Sequence, residues 1–408
     1  MTFKHRKLAN GLTVIAEVRS TAASMAAGFF VRAGSRDETP DVAGVSHFLE
    51  HMTFKGTERR TALDVNREFD EMGAAYNAFT SEENTVYYGA VLPEFQSRLL
   101  ALLSDILRPA LRGEDFDLEK QVILEEIARY EDMPRYRVYE AVMAEYFRPH
   151  PLGNGVLGTV ESVGSMRPEA MRAYFDERYA PGNLTLVGVG NVDFEAMVAE
   201  AEELCGSWHG GAARRDTAAV PPGRRGKVLT DANVARQQIA LASPAPSSQH
   251  DDRYAAMLAA TLLGDATGSR LFYALVDPAI ADEATVVYDA LDGAGLFLTF
   301  LSADPNRAGE ALAIARREIA RFTREAPRDG ELLAAKNKIA SGATLKGEVP
   351  MGRLTAIGYD WVYRGEYVSL TDQIDTLFSV TTDDVLRVAR EWFLAATTQV
   401  ALGPLETL

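Results

Sequence analysis

The sequence predicts an α+β fold made of two homologous α/β domains in tandem, and three observations carry this prediction. The chain has 408 residues, which is too long for one ordinary hydrophobic core. Segments 165–190 and 379–404 share one pattern, in which a capped turn, an amphipathic helix and an apolar strand follow each other without a gap in the alignment. A stretch without hydrophobic periodicity, rich in Gly, Ala, Pro and Arg, separates the two segments.

Few letters are identical between the two segments, so the match lies in the pattern of helix and strand. Duplicated domains of mixed α and β structure explain such a pattern. The boundaries predicted from the repeat and the break are a first domain over 1–209, a linker over 210–227 and a homologous second domain over 228–408.

The elements of the first domain follow from local patterns. The β-branched and aromatic residues of LTVIAEV (12–18) and AASMAAGFFVRAG (22–34) predict two strands, and a polar loop then leads to a helix that begins near Val42. Apolar residues at helical spacing predict a second helix that ends at Gly73. The rest is predicted as strand, turn and strand (AYNAFTSEENTVYYGAVLP), two helices (FQSRLLALLSDILRPA and DFDLEKQVILEEIARYED), a strand (TLVGVGNV) and a helix through Cys205.

The composition excludes several classes of protein. No run approaches the ~20 apolar residues of a membrane-spanning helix, so no membrane segment is predicted. The net charge of −16 argues against nucleic-acid binding, because phosphate contacts need a basic surface. The single cysteine, Cys205, excludes an internal disulfide and a Cys-based zinc cluster, and it is predicted to be a buried apolar residue. The Arg-Arg pairs at 59–60, 214–215 and 224–225 are predicted to be solvated or linker charges.

The N-terminus contains no apolar stretch long enough for a signal peptide, so a cytoplasmic protein is predicted. An export signal lost with an upstream start site would instead place the protein in the periplasm.

The segment AGVSHFLEHMTFKGT (43–57) brings two histidines and a glutamate within five residues, in a chain with six histidines. His47 and His51 are four residues apart, so on an α-helix they face the same way and can reach one tetrahedral zinc ion. Glu50 can then take a proton from a water that the ion makes more acidic. The order His-x-x-Glu-His is that of the inverted zinc peptidases, and the alternative is a surface helix with exposed histidines.

The helix predicted from DLEKQVILEEIARYEDMP (117–134) offers a third ligand. Its predicted apolar face consists of Leu118, Val122, Ile123 and Ile127. Glu119 and Glu126 lie seven residues apart, or two helical turns, and therefore share a face. Glu126 can ligate the ion while Glu119 orients a ligand histidine. The alternative for either glutamate is a solvated position on the helix surface.

These segments resemble the pitrilysin and mitochondrial-processing-peptidase family, in particular the zinc-bearing subunit of its bacterial processing-protease-like branch. The resemblance covers nearly the whole chain and is carried by GVSHFLEHMTFKGT, GAAYNAFTSEENTVYY, EKQVILEEIARYEDMP, HPLGNGVLGT, YAPGNLTLVGVGNV and GSRLF, in this order. It implies two homologous domains, each a mostly antiparallel sheet packed with helices, that form half of a clam-shell chamber.

The resemblance implies a zinc-dependent endopeptidase that acts on extended peptides or unfolded segments. By this resemblance His47, His51 and Glu126 bind one Zn²⁺ per chain. Glu50 is then the general base and Glu119 the supporting acid.

The resemblance also implies how a peptide is held. Members of the family bind the substrate as an added strand along a sheet edge, at positions that match Asn77, Ala78 and Phe79 here. The alternative for this segment is an ordinary internal hairpin.

The second half departs from the family pattern. Active relatives carry an arginine and a tyrosine soon after the GSRLF segment, which hold the substrate carbonyl and stabilise the oxyanion. Here the two positions hold Val276 and Glu283, and the nearest tyrosine is Tyr288. Each missing oxyanion donor costs about 10²–10³ in turnover, so a poor enzyme is predicted for the chain alone.

We therefore expect a heterodimer with a homologous subunit that lacks the zinc ligands but carries the Arg/Tyr pair, with a homodimer as the second choice. The alternative function is a weakly active or non-catalytic structural subunit, or a peptide-binding member of the same family. Glu50 argues against both alternatives, because only hydrolysis needs a base beside the metal.

Overall fold

The structure, a computed structural model, describes residues 1–217, 223–393 and 397–408. Residues 218–222 of the predicted linker and residues 394–396 of the second repeat segment lie outside the described residues. The strands are Thr2–Lys7 (β1), Thr13–Val18 (β2), Met25–Val31 (β3), Ala75–Thr80 (β4), Thr85–Val91 (β5), Leu184–Gly190 (β6), Gly226–Thr230 (β7), Gln237–Pro244 (β8), Glu283–Ala290 (β9), Gly295–Ala303 (β10) and Thr398–Gly403 (β11).

The α-helices of the first part of the chain are Val45–Thr53 (α1), Ala62–Glu71 (α2), Gln96–Ile106 (α3), Gly113–Glu131 (α4), Pro134–Phe147 (α5), Val160–Ser165 (α6), Pro168–Arg178 (α7) and Phe194–Cys205 (α8). Those of the second part are Arg253–Gly264 (α9), Ala308–Phe322 (α10), Asp329–Gly347 (α11), Pro350–Arg364 (α12), Leu370–Ser379 (α13) and Thr382–Trp392 (α14). None of the helices in the described ranges combines the length and the apolar composition that crossing a bilayer requires.

Two mixed sheets organise these elements. The first has the strand order β1-β2-β6-β3-β5-β4, and the second has the order β7-β11-β8-β10-β9. In each sheet one neighbouring pair is parallel, β2 with β6 and β11 with β7, and every other pair is antiparallel. The predicted α+β class with mostly antiparallel sheets is therefore confirmed.

The two sheets also correspond strand by strand once β1 is set aside. In both, the strand of the predicted repeat follows an amphipathic helix, α7 before β6 and α14 before β11. Both repeat strands then insert beside a parallel neighbour and an antiparallel neighbour. This shared topology confirms two homologous domains in tandem.

The chain forms two compact units, each of which combines three segments. The first unit contains 1–128, 154–216 and 345–368, and the second contains 129–153, 217–344 and 369–408. These units differ from the division predicted at 209 and 228, because each contains one helix from the other half of the sequence. That helix is α12 in the first unit and α5 in the second.

Sheet geometry explains why each unit needs this additional helix. Successive side chains of a strand point to opposite faces, and both faces of β8 and β10 are apolar. Ile239 and Leu301 belong to the core shared with α9 and α14, whereas Ala240 and Leu298 belong to the core formed with α5. A sheet with two apolar faces must be covered by helices on both faces. The helices that are near this sheet in sequence cover only one face, so α5 covers the other.

In the first unit α12 has the equivalent place. Leu354 and Ile357 pack against Ile15 and Phe30 of the first sheet. Gly358 approaches the sheet so closely that an added Cβ would lie 2.2 Å from the Phe30 ring. The close approach therefore requires a glycine at this position.

Candidate active site

Helix α1 carries three of the predicted site residues, and its start is fixed by two unusual features. Gly44 precedes the helix with φ +89°, and an added Cβ would lie 2.6 Å from the carbonyl oxygen of Leu157. The buried carboxylate of Glu38 accepts the N–H groups of Gly44 and Ser46, at 2.7 and 2.8 Å. These N–H groups have no partner within the helix, so Glu38 replaces the cap that the local sequence lacks.

Helix α4 carries Glu119 and Glu126, and it packs on α1 through the stacked rings of Phe48 and Phe116, whose centroids are 4.5 Å apart. The buried face of α4 consists of Phe116, Glu119, Ile123 and Ile127. The predicted apolar face was wrong for Leu118 and Val122, which are 62% and 41% exposed. The helical spacing of the buried set turns these two residues towards solvent and places Glu119 in the interface.

The structure brings His47, His51 and Glu126 together at the contact of the two helices. The Nε2 atoms of His47 and His51 lie 3.7 and 3.6 Å from the same oxygen, Oε2 of Glu126. One ligand atom from each of the three residues lies within 4.8 Å of the others. A tetrahedral zinc ion with bonds of ~2.0–2.1 Å separates its ligand atoms by about 3.3–3.4 Å, so these residues fit the ion.

The environment shifts the pKa values of the two imidazoles in opposite directions, and that of His47 suits a metal. Burial, together with the charge of His51, lowers the pKa of His47 to about 3, so this ring is neutral and can donate a lone pair. Burial alone would lower the pKa of His51, but the hydrogen bond to Glu119 and the charges of Glu50 and Glu126 outweigh it and raise the pKa.

Glu119 orients one of the two histidines. Its Oε2 lies 3.1 Å from Nδ1 of His51, which turns the Nε2 of that ring towards Glu126. Lys55 holds the other oxygen at 2.6 Å. Burial would raise the pKa of Glu119, but the hydrogen bonds from His51 and Lys55 lower it, so the carboxylate stays charged. Among the described residues, Nδ1 of His47 has no such partner.

Glu50 lies on the same helix and is held by a residue that the sequence did not single out. Thr80, at the end of β4, donates its hydroxyl to Oε2 of Glu50 at 2.6 Å. Burial raises the pKa of Glu50, although this hydrogen bond lowers it. A carboxylate with a raised pKa is a stronger base, as the predicted role requires.

Asn77, Ala78 and Phe79 lie on β4, the edge strand of the first sheet. Asn77 is exposed, and its side-chain oxygen accepts the N–H of Ala78 at 2.9 Å. Because Thr80 ends the same strand and contacts Glu50, this edge leads to the Glu50 carboxylate.

A buried ionic network beside the start of α1 was also missed. Arg215 belongs to a pair predicted to carry solvated or linker charges. Its side chain is 1% exposed and pairs with Asp37 at 2.5 Å, so this linker charge is not solvated. Arg36 pairs with Glu83, and both side chains are equally buried. Asp37 stands next to the cap residue Glu38, but nothing in the local spacing indicates that a residue 178 positions later neutralises it.

The positions at which the resemblance predicts an arginine and a tyrosine lie in the second unit. Val276 ends a short π-helix, and Glu283 begins β9 and pairs with Arg135. The hydroxyl of Tyr288 donates to the carbonyl oxygen of Pro246 at 2.8 Å within the same unit. These three residues therefore have local structural contacts.

Comparisons with known proteins agree with this fold. Residues 13–160 match the family model described as Insulinase (Peptidase family M16), and residues 165–339 match the model described as Peptidase M16 inactive domain. An uncharacterized zinc protease of Rickettsia felis is 30% identical over 405 residues, which cover 98% of each chain. Another of Streptomyces coelicolor is 32% identical over 420 residues, which cover 99% of this chain and 90% of the relative.

Two solved structures share the fold. A protease from Helicobacter pylori has a TM-score of 0.91 at 21% identity, with 99% of each chain covered. A peptidase M16 inactive domain from Pseudomonas fluorescens has a TM-score of 0.91 at 17% identity, with 99% of this chain and 98% of that chain covered. At such identities the likeness establishes the fold alone, whereas the family models and the zinc-protease relatives establish that this chain belongs to peptidase family M16, the insulinase and pitrilysin family.

Proposed function

We propose that the chain is a zinc-dependent endopeptidase that hydrolyses extended peptides or unfolded segments. The observation that carries the proposal is the convergence of His47, His51 and Glu126 from two helices, with the partly buried carboxylate of Glu50 on the same helix as the histidines. Two imidazoles and one carboxylate form a donor set that catalytic zinc sites use. Zn²⁺ held by these three residues supplies a Lewis acid that polarises a carbonyl and makes water more acidic.

Glu50 performs the proton transfers. Thr80 donates to Oε2, which leaves Oε1 to accept a proton from the attacking water. The water oxygen forms the new bond to the carbonyl carbon, and the C–N bond then breaks. The same carboxyl group returns its proton to the leaving amine nitrogen, so that Glu50 is regenerated. Glu119 does not transfer a proton in this scheme, because its two oxygens hold His51 and Lys55.

The edge of β4 favours extended substrates. A peptide that adds to this edge through main-chain hydrogen bonds would run along Asn77, Ala78 and Phe79 towards Thr80 and Glu50. A helical segment has no main-chain donors or acceptors available for such pairing. The edge therefore supports selection for unfolded or extended chains.

Full activity is proposed to need a homologous partner subunit that carries the Arg/Tyr pair. The support is the sequence itself, which has Val276 and Glu283 where relatives have the arginine and the tyrosine. A heterodimer is the first choice and a homodimer the second. The alternative, a weakly active or peptide-binding member of the family, rests on the same two positions.

Three variants test the proposal with zinc analysis and a peptide-cleavage assay, run on the purified chain and on the chain co-purified with its native partners. Glu126→Gln is expected to lose zinc, and Glu50→Gln is expected to keep zinc while losing cleavage. Glu125→Gln is the matched control, because Glu125 is the exposed neighbour of Glu126 on α4. Full zinc binding by Glu126→Gln would refute the proposed site.

The same assays separate the alternative function. A chain that binds zinc and peptide but cleaves nothing, alone or with its partners, is a peptide-binding member. Full cleavage by the isolated chain would overturn the need for a partner and leave the zinc site unaffected.

A further inference from the structure

A cavity of about 480 Å³ lies in the first unit, among the segment that follows α1 and the ends of α3 and α8, with α7 on its wall. No residue of the candidate active site lines it. Its charged lining residues are Arg59, Arg60, Arg108, Arg172, Glu58 and Asp105. We call this space the arginine cavity. It has an excess of positive charge in a chain whose net charge is −16.

The arginines of the cavity are unequally neutralised. Arg60 pairs with Asp105 and with Glu68, each at 2.8 Å. Within the part of the chain that the structure describes, Arg108 and Arg172 have no carboxylate at ion-pair distance, and their side chains donate to main-chain carbonyl oxygens. The side chain of Arg59 likewise has no carboxylate partner among the described residues, and it is exposed.

Aromatic rings hold the guanidinium group of Arg108 in place. It lies 3.5 Å from the ring centroid of Trp208 and 5.4 Å from that of Phe175. Arg172 lies 5.6 Å from the same Phe175 ring. Burial lowers the pKa of Arg108 to about 10, and the nearby charge of Asp176 offsets this shift only in part. The aromatic contacts position the guanidinium group, and its charge, which no carboxylate meets at ion-pair distance, is available to an anion.

The same contacts narrow the chemistry of that anion. The faces of Trp208 and Phe175 already lie against guanidinium groups, so they are not available to stack on a nucleobase. Guanidinium forks match the oxygen geometry of phosphate groups, and several of them suit a polyanion better than a single carboxylate. The volume falls within the range of small-molecule sites. We propose that the arginine cavity binds the di- or triphosphate group of a small molecule and does not read the rest of the ligand.

Isothermal titration of the 408-residue chain with inorganic triphosphate and pyrophosphate tests this directly. We expect saturable binding that the double variant Arg59→Gln/Arg172→Gln weakens by about tenfold or more, because each removes a charge-assisted contact. Arg98→Gln is the matched control, since Arg98 lies on α3 outside the cavity and pairs with Glu71. Circular dichroism and thermal melting check that the variants fold like the wild type. ATP is expected to bind about as tightly as inorganic triphosphate.

Several outcomes overturn the proposal. One is the absence of binding by triphosphate and pyrophosphate, and another is an unchanged affinity in Arg59→Gln/Arg172→Gln. An equal loss of affinity in Arg98→Gln would show unspecific attraction. Tighter binding of citrate than of triphosphate would refute the phosphate assignment. The zinc content is measured before and after titration. If heat is released while zinc is lost, and this heat persists in the double variant, the phosphate compound removes zinc from the candidate active site and does not bind in the arginine cavity.

Discussion

The buried carboxylate of Glu38 allows a quantitative test of how α1 is held. Both of its oxygens accept N–H groups at the start of the helix, and burial nevertheless raises its pKa from 4.5 to about 7. The neighbouring charge of Asp37 adds to this increase. From α7, the Tyr174 hydroxyl faces the same space and contacts the Ser46 hydroxyl at 2.7 Å.

The sign of the pH dependence follows from the two pKa values. Between pH 4.5 and about 7 the folded protein keeps the proton of Glu38 while the unfolded chain loses it. The folded state thus binds more protons, so the free energy of unfolding falls as the pH rises through this window. The contribution is complete below pH 4.5 and is lost above about pH 7. The difference between the two pKa values corresponds to about 3 kcal/mol.

Urea denaturation of the wild type and Glu38→Gln, repeated from about pH 4.5 to about pH 8.5, measures this contribution. The variant cannot titrate at this position, so its stability relative to the wild type is expected to increase by about 3 kcal/mol across the window. Glu203→Gln, an exposed position on α8, should follow the wild type at every pH. Parallel stability curves for the wild type and Glu38→Gln would refute the raised pKa and its assignment to burial.

Three further variants test other contacts. Glu119→Gln should weaken zinc binding by about 10–100-fold in a chelator competition, because Nδ1 of His51 loses its charged partner; an unchanged affinity would remove Glu119 from the site. Arg215→Gln should lower the free energy of unfolding by about 3–5 kcal/mol, because Asp37 stays buried with less compensation; the exposed neighbour Arg214→Gln should change it by less than about 0.5 kcal/mol. Gly358→Ala should lower the free energy of unfolding by about 1–3 kcal/mol, because the added methyl group forces α12 away from Phe30. Gly342→Ala, in open space on α11, should be neutral or stabilising, and thermal melting of both variants measures the difference.

The features that were predicted correctly from the sequence depend on residues that are close to each other along the chain. The strands β2 to β5 follow from β-branched residues and turn positions, and α1 follows from its polar and apolar spacing. The shared direction of His47 and His51 needs only the geometry of one helix. The internal repeat likewise predicted two similar domains, because a comparison of sequence patterns needs no knowledge of three-dimensional contacts.

The exchange of helices between the two halves could not be predicted in this way. The pattern of α12 shows an apolar face but not which sheet that face covers, and the same holds for α5. Leu118 and Val122 show the same limit within one helix. Their apolar character predicted that they are buried, but the packing of α4 on α1 buries Glu119 and leaves these two residues exposed. An apolar side chain identifies a candidate for burial, and only the neighbouring element decides which candidates are buried.

The candidate site shows where this limit affects function. Its ligands lie on two helices whose internal spacing the sequence reveals, but the groups that orient and tune them come from far along the chain. Thr80 is 30 residues from Glu50, and Glu119 is 68 residues from His51. Glu119 could be predicted from its spacing only because it shares a helix face with Glu126. No pattern in the sequence around Thr80 indicates its contact with Glu50. Supporting residues of this kind are therefore identified only by the three-dimensional contacts, and substitutions at these positions test the site independently of its ligands.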